Sequence, residues 1–223
     1  MKQKVILYPI VLFDLDGTIT DPKIGITKSF QYALQHFGIQ VNDLDALEPV
    51  IGPPLKKSFS EFYHLPEEQI DSAIEKYRER FSNVGLYENE IYDGMESLLR
   101  ELSEKGFILE IASSKPTIFV EKICEHFKIK QYFTHIVGSF LDGRRGEKEE
   151  VVEEAIRLSQ ATPDNIVMIG DRVYDVLGAH AKGISVIGVS YGYGGRKELE
   201  EAGADVIVDT VEQLRQELLG RRI

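Results

Sequence analysis

The chain has 223 residues, 43% hydrophobic and 28% charged, with a formal net charge of -11 at pH 7. That length suits one large domain or one domain with an insertion, and the composition is ordinary for a soluble globular protein. The acidic balance excludes nucleic-acid backbone binding, which needs basic patches. It leaves a small anionic substrate open, because a bound cation reverses the local field.

The first predicted element is a buried strand. Residues 1–4, Met-Lys-Gln-Lys, precede an apolar run over residues 5–13, the order of a secretory leader. No small-residue cleavage site follows, and Asp14 ends the run. The run is too short to span a membrane. The expectation is a strand with Pro9 at or before its start, in a cytoplasmic protein with no membrane partner. The single cysteine, Cys124, excludes an internal disulfide and fits a reducing compartment.

Residues 26–37 carry Phe30, Leu34 and Phe37 at helical spacing, stopped by Gly38. A second helical stretch, residues 54–63, follows the turn Gly52-Pro53-Pro54. A third, residues 67–81, puts Ile70, Ile74, Tyr77 and Phe81 on one face. No strand pattern interrupts residues 24–82, so this part reads as a small helical bundle. After Tyr92-Asp93-Gly94 the pattern alternates. Helices are expected over 95–102, 117–127, 147–158, 175–182 and 210–219. Strands are expected over 107–112, 133–137, 166–169, 184–189 and 206–208. Repeated β-α units predict an α/β fold, a doubly wound and mostly parallel sheet with helices on both faces, and make the bundle an insertion.

The chemistry gathers at strand ends. The first strand stops at Asp14-Leu15-Asp16-Gly17-Thr18, the strand at 107–112 at Ser113-Ser114, and the strand at 166–169 at Gly170-Asp171, with Asp175 one helical turn on. In a parallel sheet these ends share one edge, where open α/β sheets bind ligands. Clustered carboxylates repel each other, and a hard divalent cation with an oxygen shell, Mg²⁺ foremost, compensates them. An aspartate beside such a cation can be a phosphoryl-accepting nucleophile. A second carboxylate two residues on can protonate the leaving oxygen and then activate water.

These residues resemble the haloacid dehalogenase superfamily, in its phosphoglycolate phosphatase-like and 5′-nucleotidase-like branch, over nearly the whole chain. The resemblance implies Asp14 as nucleophile and Asp16 as acid/base. It implies a phosphate-binding set of Gly17, Thr18, Ser113, Ser114 and Lys148. Magnesium would be held by Asp14, Asp171, Asp175 and the backbone carbonyl of Asp16. It further implies a core domain of residues 1–19 and 85–223 and an α-helical cap of residues 20–84. The family's lysine lacks its usual following proline here. Lys148, opening a helix after a glycine-rich loop, is the candidate, with a solvated helix-start lysine as the alternative. Lys115 competes but suits the loop after its own strand.

The remaining signals rank lower. Gly192-Tyr193-Gly194-Gly195 lacks both phosphate-loop and dinucleotide spacing and reads as a flexible surface loop near the site. His36, His64, His126, His135 and His180 show no zinc spacing. Arg144-Arg145 reads as a solvated loop, and Gly52-Pro53-Pro54-Leu55 as a cap turn that could touch the leaving group. The expected function is Mg²⁺-dependent hydrolysis of a small phosphorylated metabolite by a monomer or homodimer. The alternatives are a phosphomutase of the β-phosphoglucomutase kind, a pyrophosphatase and, last, a non-catalytic binding module.

Overall fold

A computed structural model describes residues 8–220. The leader-like residues at the start of the chain lie outside the described residues. The strand expected over residues 5–13 is observed as β1, Ile10–Phe13, with Pro9 just before it.

β1 sits inside a six-stranded sheet of order β5-β4-β1-β6-β7-β8, parallel at every pairing. The other strands are β4 (Ile108–Pro116), β5 (Phe133–Ser139), β6 (Ile166–Gly170), β7 (Ser185–Val189) and β8 (Val206–Val208). Phe13 is in register with Ile111 of β4 on one side and Ile169 of β6 on the other. The continuous apolar run of β1 is explained by burial of both its faces. Val11 and Phe13 join one hydrophobic cluster, while Ile10 and Leu12 join the opposite one.

Helices cover both faces. α4 (Met95–Glu104), α5 (Thr117–His126) and α9 (Val211–Gly220) bury Leu99, Val120 and Leu214 in the first cluster. α6 (Lys148–Ser159), α7 (Val173–His180) and α8 (Gly195–Ala202) bury Val152, Val176 and Leu199 in the second. This is the doubly wound α/β architecture that the alternating pattern predicts. α8 is not foreseen: its glycine-rich start masks the helical spacing. β4 runs past the predicted end at 112, so Ser113 and Ser114 lie within its last residues, beside a register shift against β5.

The segment between β1 and α4 is helical but framed by strands. α1 (Lys23–His36), α2 (Leu55–Lys57, widening into a π turn over Ser58–Phe62) and α3 (Glu67–Phe81) pack around Phe30. The Phe30 ring lies 4.7 Å from that of Phe59 and 5.0 Å from that of Tyr77. Phe81 then meets Phe119 of α5 edge-on at 5.5 Å, which joins the segment to the sheet's own helices. At its two ends β2 (Thr20–Asp21) and β3 (Glu90–Ile91) pair antiparallel. Each is two residues long, too short to carry a period-2 signal. Among the described residues, no helix is long and apolar enough to cross a membrane.

Candidate active site

β1 lies where the strand order reverses, with β4 on one side and β6 on the other, so its carboxyl end opens into the crevice between them. Asp14 extends the ladder by one bond, its N–H donating to the Ile169 carbonyl at 2.9 Å. The chain then turns sharply. The N–H groups of Thr18, Ile19 and Thr20 all point at the Leu15 carbonyl. Gly17 takes φ +82°, and a Cβ there would stand 2.2 Å from an Asp171 carboxylate oxygen. Glycine is therefore the side chain that this approach admits.

Carboxylates of Asp14, Asp171 and Asp175 converge, each offering an oxygen within 4.8 Å of the others. Lys148 reaches in from the first turn of α6. Its Nζ lies 2.7 Å from Asp14 Oδ1 and 2.7 Å from Asp175 Oδ1, and donates to the Ala112 carbonyl at 3.0 Å. The solvated alternative for Lys148 does not hold, since the side chain is buried. Burial by itself would lower the pKa of its ammonium, but Asp14 and Asp175 outweigh it and the net shift is upward. Asp175 also serves its own helix: its Oδ2 accepts the Arg172 N–H at 3.0 Å, half of a capping box.

Asp171 is fully buried. It accepts from the Thr18 hydroxyl at 3.3 Å and from the Tyr193 N–H at 2.8 Å, and forms no ion pair among the described residues. Burial, then the charges of Asp175 and Asp14, push its carboxyl well above the usual carboxylate range. Asp175 is also raised, chiefly by burial, with Lys148 working against the shift. Asp16 pairs with Lys115, Nζ to Oδ1 at 2.7 Å, and burial raises its carboxyl despite that lysine. Lys115 thus crosses to the first carboxylate loop instead of bracing its own.

The donor set fits a divalent cation. Four buried carboxylates (Asp14, Asp16, Asp171, Asp175) face two ammonium groups (Lys115, Lys148), which leaves two negative charges uncompensated. A buried charge without a partner is strongly unfavourable, and oxygen-only donors suit a hard ion.

The other predicted residues divide. Ser113 is buried at the end of β4, and Ser114 lines a cavity of about 80 Å³ that Asp16 and Lys115 also line. Gly17 and Thr18 turn elsewhere, the Gly17 N–H to the Thr20 carbonyl and the Thr18 hydroxyl to Asp171. Gly52, Pro53, Pro54 and Leu55 form part of the same cavity's wall. Arg144 pairs with Asp142 at the surface, and Arg145 donates to the Gly138 carbonyl. A larger open groove of about 700 Å³ between α4 and α9 holds none of the site carboxylates.

Residues 190–195 are not a loose surface loop. The Tyr191 hydroxyl donates to the Thr18 carbonyl at 3.0 Å, that of Tyr193 donates to Asp21, and a Cβ on Gly192 would stand 2.4 Å from that of Asp171. This segment forms the back wall of the carboxylate cluster. Its contribution to Asp171 is a backbone N–H, which no residue type signals.

Comparison with known proteins agrees with this geometry. The family described as haloacid dehalogenase-like hydrolase matches residues 11–189, the span from β1 to β7. The chain belongs to the haloacid dehalogenase-like hydrolases. A 5′-nucleotidase of Pseudomonas aeruginosa is 45% identical over 199 residues, covering 89% of this chain and 90% of the relative. The tyrosine-protein kinase PtkA of Mycobacterium tuberculosis is 36% identical, covering 94% of this chain and 72% of the relative. The crystal structure of a predicted phosphatase from Clostridium acetobutylicum superposes with TM-score 0.94 at 50% identity, covering 96% of this hydrolase and 99% of that chain.

Proposed function

We propose that this hydrolase is a magnesium-dependent phosphatase of small phosphomonoesters that works through an aspartyl-phosphate on Asp14. The observation that carries the reading is the Lys148 ammonium 2.7 Å from both Asp14 and Asp175, beside a buried Asp171 that no cation answers. The relatives named as phosphatases and as a 5′-nucleotidase support it.

Asp14, Asp171, Asp175 and the Asp16 carbonyl would hold magnesium, whose charge neutralises the phosphoryl oxygens and the acid cluster. Lys148 fixes Asp14 by Oδ1, leaving the other oxygen to attack phosphorus. As the Asp14–phosphorus bond forms, the ester oxygen leaves and takes a proton from Asp16. Asp16 then accepts a proton from a water that attacks phosphorus, and Asp14 departs as carboxylate. The products are an alcohol and inorganic phosphate. Ser113 and Ser114, at the end of β4, receive the phosphoryl oxygens, and the helical segment covers the site against bulk water. Acid–base help supplies roughly 10²–10⁴-fold, so most of the acceleration comes from charge stabilisation and in-line positioning.

Phosphate release from an aryl phosphate across a magnesium titration tests this. Asp14→Asn should lose about 10³-fold or more of turnover, as removal of a covalent nucleophile does, while keeping the wild-type melting midpoint. A folded, active Asn variant would overturn the mechanism. Isomerised sugar phosphate in place of free phosphate would favour the mutase alternative.

A further inference from the structure

The cavity between the helical segment and the sheet edge contains a cation that no carboxylate answers. Lys115, on the core wall, is taken by Asp16 at 2.7 Å. Arg78, on the α3 wall, forms no ion pair among the described residues. Its Nη1 donates to the Leu141 carbonyl at 2.8 Å, and its Nε is sealed from solvent with no hydrogen-bond partner. Arg80, two positions on along the same helix, turns away and pairs with Glu88 at 2.8 Å. Both arginines had acidic neighbours within reach of evolution, and only the one facing the cavity lacks a partner.

The rest of the wall is apolar, with Ile26, Val50, Phe81 and Phe119 closing around the guanidinium. A sealed, unpaired N–H on a charged group is costly unless a ligand meets it. The planar guanidinium edge matches a carboxylate through two parallel hydrogen bonds. A void of about 80 Å³ admits two or three water-sized groups, each of about 30 Å³, which is the bulk of a carboxylate.

Resting on the phosphomonoesterase reading, we propose that Arg78 is a specificity-determining residue. It reads a carboxylate on the leaving group, so the preferred substrates are compact phosphorylated carboxylic acids. Asp14 and its neighbours hold the phosphoryl end while Arg78 holds the acid end, and the length between them is set by the cavity.

Calorimetry with non-hydrolysable phosphonates tests this independently of turnover. The magnesium-loaded protein is titrated with 3-phosphonopropionate and with its neutral isostere, 3-phosphonopropionamide. The acid should bind about tenfold tighter or better, the low end for a hydrogen bond to a charged group. In Arg78→Gln that ratio should fall to about one, and Arg78→Lys, which keeps the charge, should retain part of it. Equal binding of acid and amide to the wild type would overturn the proposal. So would an equal loss of both ligands in Arg78→Gln, which would make Arg78 only a strut to Leu141. Tighter binding of ethane-1,2-bisphosphonate than of the acid would point to a second phosphate and overturn it too. So would faster hydrolysis of a nucleoside monophosphate than of phosphoglycolate. Failure of the phosphatase reading shows separately, as no phosphate released from any monoester while the binding contrast persists.

Discussion

Lys148 joins three strands' worth of chemistry through one ammonium: Asp14 after β1, the Ala112 carbonyl in β4 and Asp175 after β6. Lys148→Ala leaves two buried carboxylates facing each other. In metal-free protein this should cost about 3–5 kcal/mol, read from the urea midpoint, as for one partner removed from a buried pair. Turnover should fall by about 10²-fold or more, as when a preorganised charge-stabilising donor is lost. Glu110 is a second buried charge at this scale, placed mid-strand in β4 with Oε1 2.8 Å from His135 Nδ1. Burial raises its carboxyl, and His135 only partly offsets that. A carboxyl raised in the folded state favours folding below its unfolded pKa and loses that contribution as pH rises through its folded one. Stability should therefore decline from the acid side upward in the wild type, relative to Glu110→Gln. Urea midpoints from pH 4 to 7 check this, and parallel curves for the two proteins would refute it.

At the scale of elements, the turn before α2 docks on the start of α7. Arg172 donates from Nε to Glu198 at 2.9 Å and from Nη1 to the Ile51 carbonyl, while Lys57 lies 4.9 Å from the centre of the Tyr174 ring. A residue beside Asp171 thus holds the wall of the substrate cavity. Arg172→Gln should lower kcat/KM by about tenfold, with KM and kcat moving together as in lid variants. Steady-state kinetics with the aryl phosphate measures it, and unchanged constants would show that the turn docks without Arg172. These contacts also mark what the sequence makes legible. β1 and β6 are readable because both faces are buried and every residue is apolar. Asp14, Asp171 and Asp175 follow from the parallel direction of those strands. Lys148 is visible as a lysine opening a helix. The reach of Lys115 to Asp16, the Arg172 bridge and the unanswered Arg78 are tertiary distances with no local pattern. The ribbon of β2 and β3 and the glycine-led α8 are too short or too atypical for periodicity to register.

For the whole molecule, charge is the governing quantity. A chain at net -11 already repels itself, and the site adds buried acids that its lysines do not neutralise. Magnesium binding to the folded form should therefore raise stability, by about 2.7 kcal/mol at a concentration 100 times its Kd. A chelator should reverse the gain, and Asp171→Asn should blunt it. A melting midpoint indifferent to magnesium would count against the ion at this site. The two-stranded ribbon has a consequence of another kind. Thr20 is paired with Ile91 and Asp21 with Glu90, so the intervening chain departs and returns one strand spacing apart. Once its ends are pinned together, the closure entropy of such an excursion grows only slowly with its length. The stretch between can be lengthened, shortened or exchanged over evolutionary time without disturbing the register of β1. Substrate choice can then diverge while the phosphoryl chemistry stays fixed beneath it.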